Sequence, residues 1–90
     1  MKQVLCFTAS WCPHCEEFKP IIKKLTIPYN IEVLDVDDNQ DLAVYYDVEN
    51  LPSIVFLKDN LLLDKREGGF ENEDELEKYI KNTYFTSKMS

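Results

Sequence analysis

The run Val4-Leu5-Cys6-Phe7-Thr8 contains no charged residue and no polar alternation. A strand with one solvated face alternates apolar and polar side chains, whereas a strand covered on both faces reads as a continuous apolar run. The stretch therefore predicts a central strand in a sheet with helices on both sides. The rest of the chain has to supply those helices and the neighbouring strands.

It does so in order. From Glu16 to Leu25 the apolar residues Phe18, Ile21, Ile22 and Leu25 recur at helical spacing, with Lys23 and Lys24 at the end where the helix dipole favours cations. Pro20 interrupts this helix and predicts a kink. Residues 26–30 read as a connector and Ile31 to Val36 as a second strand, which completes a βαβ unit with parallel strands and a right-handed crossover. Asn39 is placed to cap a short helix over Gln40 to Tyr46. Two further strands, Ser53–Lys58 and Leu61–Arg66, are separated by Asp59-Asn60, a pair that tolerates the left-handed backbone of a two-residue hairpin. Gly68-Gly69 then breaks the chain. Asn72 with Glu75 reads as a capping box for a last helix through Leu76, Tyr79, Ile80 and Thr83, and residues 83–90 read as a frayed tail. The order is βαβαββα. It makes an α/β domain over residues 1–90, with a mixed four-stranded sheet flanked by helices.

Ninety residues allow one domain with a modest core, for which 44% hydrophobic content suffices. Seventeen acidic against ten basic residues give a net charge of -7, which disfavours a nucleic-acid or anionic-membrane partner because phosphate binding needs Lys and Arg. No apolar run approaches membrane-spanning length. Met1 to Ser10 imitates a signal peptide weakly, but its apolar part is short and cleavage after Ala9 would remove the first strand. The cytoplasm is the expected compartment. There, a Cys-x-x-Cys is more often catalytic or metal-binding than structural.

That motif is Cys12-Pro13-His14-Cys15, at the junction between the first strand and the first helix. A helix starting at or just after Cys12 would aim its unpaired N–H groups and positive dipole end at the first sulfur, favouring the thiolate. Cys12 is then the candidate nucleophile. Cys15, one turn on, is the candidate resolving thiol, placed to attack a mixed disulfide formed at Cys12. A zinc site would need two more ligands, and the nearest, Cys6 and His14, are poorly placed. Asp35-x-Asp37-x-Asn39 opens like a calcium loop but lacks the required Gly and the closing Glu, having Gln40 and Tyr46 there. No metal is expected. His14, between the cysteines, is a candidate to stabilise the thiolate as an imidazolium. Cys6, within the covered strand, reads as an inert core residue.

The segment Phe7-Thr8-Ala9-Ser10-Trp11-Cys12-Pro13-His14-Cys15 resembles the active site of the thioredoxin family, and Pro20 is similar to that family's helix-kinking proline. Val48-Glu49-Asn50-Leu51-Pro52-Ser53 looks like its cis-proline loop. The resemblance runs over nearly the whole chain and implies a thioredoxin fold, read as a minimal version without the extra N-terminal strand and helix. It also implies that Leu51 and Pro52 receive the substrate backbone, so the expected catalytic residues are Cys12, Cys15, His14 and Pro52, with Trp11, Pro13, Leu51 and Gly68 as expected substrate contacts.

The implied activity is protein thiol-disulfide exchange, mainly as a disulfide reductant, without a cofactor. The implied partners are disulfide-containing proteins and an upstream reductase of the thioredoxin-reductase kind, with the protein itself a monomer. Three features depart from the pattern. Cys6 stands where the family usually has a buried aspartate. Pro13-His14 replaces the usual Gly-Pro and is similar to the dipeptide of disulfide-forming oxidases. Gly68-Gly69-Phe70 resembles the segment with which glutaredoxins hold glutathione. A glutathione-linked enzyme, and a binding subunit whose redox chemistry is incidental, are therefore the alternatives.

Overall fold

The computed structural model describes residues 2–24, 30–70 and 72–89, with side chains through residue 84. Four strands and three helices follow in the order β1 (Lys2–Thr8), α1 (Pro13–Lys23), β2 (Asn30–Asp35), α2 (Gln40–Tyr45), β3 (Ser53–Lys58), β4 (Leu61–Glu67) and α3 (Glu73–Met89). The sheet order is β2-β1-β3-β4, with β1 parallel to β2 and antiparallel to β3. As its sequence requires, β1 is internal and buried on both faces from Val4 onwards. Leu25 and residues 26–29 of the expected connector lie outside the described residues.

One face of β1 and β3 presents Val4, Cys6, Ile54 and Phe56, packed beneath Phe18 and Ile22 of α1 and Leu76, Ile80 and Tyr84 of α3. The other presents Leu5, Phe7, Val55 and Leu57, over which pack Ala43 and Tyr46 together with Val48 and Leu51 of the following loop. Asp59 and Asn60 both have positive φ, 52° and 69°, and join β3 to β4 as a two-residue hairpin. Between Phe56 and Leu57 the register shifts, so Leu63 faces no partner residue and turns into the α1/α3 cluster.

Several boundaries differ from the sequence reading. The first helix begins at Pro13, just after Cys12 as the motif suggested and three residues before its apolar periodicity, because a proline in the first turn forfeits no helical hydrogen bond and its fixed φ suits the helix. Asn39 occupies the N-cap position of α2, but its side chain makes no capping bond and Nδ2 donates to the Asp35 carbonyl at 2.9 Å. Asn72 does cap α3, accepting from the Glu75 N–H at 3.0 Å. The expected frayed tail is corrected: α3 continues through Met89. The cause is Tyr84, which extends the Leu76–Ile80 row by another i+4 step and is buried. Its hydroxyl lies 2.8 Å from both the Gln3 and the Leu57 carbonyl oxygens, one proton serving two acceptors.

Candidate active site

The chain leaves β1 through buried Ala9 and an exposed Ser10-Trp11 turn, and enters α1 at Cys12. Cys12 is the N-cap residue, with extended backbone (φ −103°, ψ 110°). Its N–H donates to the Ala9 carbonyl at 3.2 Å, and its carbonyl accepts from Glu16 at 3.3 Å. Its Sγ accepts the Cys15 N–H at 3.3 Å. The cap that a serine or aspartate oxygen usually supplies is therefore a sulfur, with a helix amide aimed at it.

Both cysteines are free thiols in this structure. Cys12 keeps 6% of its surface exposed and Cys15 none, so an incoming disulfide meets Cys12 first. Burial, reinforced by the hydrogen bond and the charge of Cys12, pushes the Cys15 thiol up to about 11, against weaker lowering by an Ala9 backbone bond and Lys19. The two sulfurs thus have different roles written into their surroundings. Cys6, buried beneath α1 and α3, is pushed up to about 12 by desolvation and stays protonated.

Facing the pair is the loop after α2. Asp47 turns the chain with φ 55°, and the Val48 N–H donates to the Ala43 carbonyl at 2.8 Å. The Leu51–Pro52 peptide bond is cis, as the resemblance implied. The loop is pinned on three sides. The Ser53 hydroxyl donates to the Asn50 carbonyl, Asn50 Nδ2 donates to Glu67 at 2.5 Å, and the Gly68 N–H donates to the Pro52 carbonyl at 2.7 Å. Gly68 holds φ 89°, a conformation that favours glycine, and a Cβ on Gly69 would stand 3.3 Å from the Phe18 ring.

Leu51 packs against the cluster of Ala9, Cys12 and Cys15 and so links the loop to the thiols. Between α1 and the loops lies an open groove of about 540 Å³. Of the residues singled out from sequence, His14, Leu51, Pro52 and Gly68 line it. His14 is exposed on the groove wall, and the hydrogen bond to Cys12 Sγ comes from the Cys15 amide rather than the imidazole. Trp11 and Pro13 do not line the groove. Trp11 is 66% exposed and its indole N–H donates to Asp37 at 3.2 Å, tying the active-site turn to the segment after β2.

Sequence reasoning missed Glu17, Phe18 and Ile21 as groove residues, whereas Gly69 and Phe70 fall in the segment that resembles a glutathione-holding one. The signal was present for the helical three. Glu17, Phe18 and Ile21 stand three, four and seven residues after His14, on one side of a helix. Phe18 and Ile21 were legible only as core.

A strand-to-helix dithiol whose first sulfur caps the helix thus faces a cis-proline loop on a mixed sheet. The Thioredoxin family model matches residues 1–82. Thioredoxin H4 of Arabidopsis thaliana is 36% identical over 88 residues, covering 93% of this chain and 73% of that protein. Thioredoxin H5 of Oryza sativa subsp. japonica is 38% identical over 79 residues, covering 84% and 58% respectively. Among solved structures, Fasciola hepatica thioredoxin superposes with a TM-score of 0.80 at 33% identity, covering 91% of this chain and 80% of that one. The chain belongs to the thioredoxin family. It spans between about half and three quarters of the curated relatives it matches, from 49% of mouse mitochondrial thioredoxin to 73% of the Arabidopsis protein.

Proposed function

We propose that the protein is a thiol-disulfide oxidoreductase acting mainly as a reductant of protein disulfides. The observation that carries the reading is the Cys12 sulfur, held as the cap of α1 by the Cys15 N–H at 3.3 Å and packed with Leu51 of the cis-proline loop. In the forward direction the Cys12 thiolate attacks one substrate sulfur, a mixed disulfide forms, and the other substrate sulfur leaves as a thiolate that takes a proton from water. Cys15 then gives up its proton and attacks Cys12 Sγ. The Cys12–Cys15 disulfide forms and the second substrate thiol departs. Two electrons and two protons have passed to the substrate. Burial, the largest cause of the raised Cys15 value, persists in the mixed disulfide, so Cys15 gives up its proton against it.

A flavoprotein reductase drawing on NADPH, of the thioredoxin-reductase kind, is the proposed donor. The residues lining the groove include one carboxylate, Glu17, and no Lys or Arg, which suits glutathione carboxylates poorly. A cytoplasmic, monomeric protein belongs to the same proposal, since a reductant must work where other reductants return it to the dithiol.

The test is reduction of a disulfide-bonded protein, with either thioredoxin reductase and NADPH or glutathione as donor. Cys12→Ser should abolish exchange, and Cys15→Ser should leave substrates attached to Cys12 as mixed disulfides visible by mass spectrometry. Undiminished reduction by Cys12→Ser would overturn the reading, and turnover with glutathione alone would move the protein to the glutathione-linked alternative.

A further inference from the structure

We propose that Glu17 is a specificity-determining residue of the groove, selecting extended substrate segments that carry a lysine or arginine about two residues from the reacting cysteine. The inference rests on the disulfide-exchange reading above and names the substrate class for that same site.

The groove is apolar over most of its wall, through Phe18, Ile21, Leu51, Pro52 and Phe70. Two titratable side chains line it, His14 and Glu17, both on α1 and three residues apart, so they project from the same side of the helix. Glu17 is exposed and forms no ion pair among the described residues. Lys19 is two positions on, facing another way, and its Nζ is bound to Glu16 at 3.1 Å. The Arg66 guanidinium is stacked over Phe70 at 4.3 Å and Tyr79 at 5.0 Å. A carboxylate in a largely apolar groove favours a positive side chain and disfavours a negative one there.

The position of that side chain follows from two repeats. Glu17 is five residues beyond the sulfur-bearing cap, roughly 7 Å along a helix rising about 1.5 Å per residue. An extended substrate advances about 3.3 Å per residue, so a chain linked to Cys12 and running along α1 comes level with Glu17 about two residues from its cysteine. The overall charge of -7 adds a general attraction for cationic substrates, but an attraction of that kind does not depend on one residue.

The experiment uses three disulfide-bonded peptides that differ only in carrying Lys, Gln or Glu two residues to either side of the cysteine. Each is reduced by the full chain, with dithiothreitol regenerating the dithiol. The wild type should reduce the Lys peptide about two- to fivefold better than the Glu peptide in kcat/KM, the range of a partly exposed ion pair, and 0.5 M salt should shrink the ratio. Glu17→Gln should bring the ratio towards one and Glu17→Lys should invert it. Asp74→Asn removes the same charge from the exposed start of α3 and should leave the ratio at its wild-type value. A ratio equal in wild type and Glu17→Gln, or changed as much by Asp74→Asn, overturns the proposal while the exchange activity itself stands. Failure to reduce any of the three peptides overturns the exchange reading and the proposal with it.

Discussion

On one face of the sheet α1 and α3 bury Val4, Cys6, Ile54 and Phe56 beneath Phe18, Leu76, Ile80 and Tyr84, whereas on the other α2 covers Leu5, Phe7, Val55 and Leu57 without fully burying any residue of its own. Val44 of α2 is 81% exposed. The thinner cover does a different job. Its helix leads into the cis-proline loop, and Lys65 Nζ fastens the turn by donating to the Tyr46 and Asp47 carbonyls at 3.3 and 2.6 Å. The thick face supplies the cohesion of the fold and the helix that carries both thiols. The thin face positions the loop that closes the groove. Stability and substrate contact are thus divided between the two sides of one sheet, and substitutions should respect the division.

The largest contrast is expected at Leu76. Leu76→Ala leaves a cavity among Phe56, Ile80 and their neighbours and should cost about 2–5 kcal/mol in urea denaturation. A cost below about 1 kcal/mol would mean that the thick face relaxes freely and is not the keystone assigned to it.

The next effect is a pH dependence carried mainly by the thick face. Cys6 is raised to about 12 in the fold from an ordinary thiol value of 9.0, so the folded state holds a proton that the unfolded state releases. Its contribution is complete below pH 9, declines above it, and is lost as pH rises through about 12. At pH 10.5 the loss should be about 2 kcal/mol, at 1.36 kcal/mol per pH unit. Cys15 adds a loss of the same sign that ends near 11. Comparing urea midpoints of wild type and Cys6→Val at pH 8 and 10.5 isolates the Cys6 share; parallel pH profiles would show that burial does not hold that proton.

The smallest effect belongs to α2. Val44→Ala removes an exposed side chain and replaces a β-branched residue by a better helix former, so stability should change by less than about 0.5 kcal/mol. A loss approaching that of Leu76→Ala would erase the distinction between the faces.

Much of this was legible because single residues carried it. The unbroken run at Val4 to Thr8 placed β1 inside the sheet, Asp59-Asn60 gave the hairpin, and the paired cysteines marked the site. What was hidden depended on partners distant in sequence. Tyr84 looked like part of a tail because its acceptors, the Gln3 and Leu57 carbonyls, are 81 and 27 residues away. The Trp11–Asp37 bond spans 26 residues and left no local trace either. Asn39 shows the opposite failure. A favoured cap residue at the right place spends its side chain on the Asp35 carbonyl, satisfying a local acceptor instead of the helix.

The Tyr84 hydroxyl has a consequence for the order in which the molecule can come into being. Synthesis delivers β1 before its other strands, yet β1 ends in the middle of the sheet, flanked by β2 and β3, both of which emerge later. Its apolar faces have to wait. They gain α1 first, then β2 and α2, then the β3–β4 hairpin, and the residue that spans the β1–β3 ladder at Gln3 and Leu57 emerges only after all four strands. Pairings this distant incur their loop-closure entropy before contacts repay it. A growing chain that has not yet released residue 84 therefore carries a central strand without the Tyr84 hydroxyl that bridges Gln3 and Leu57.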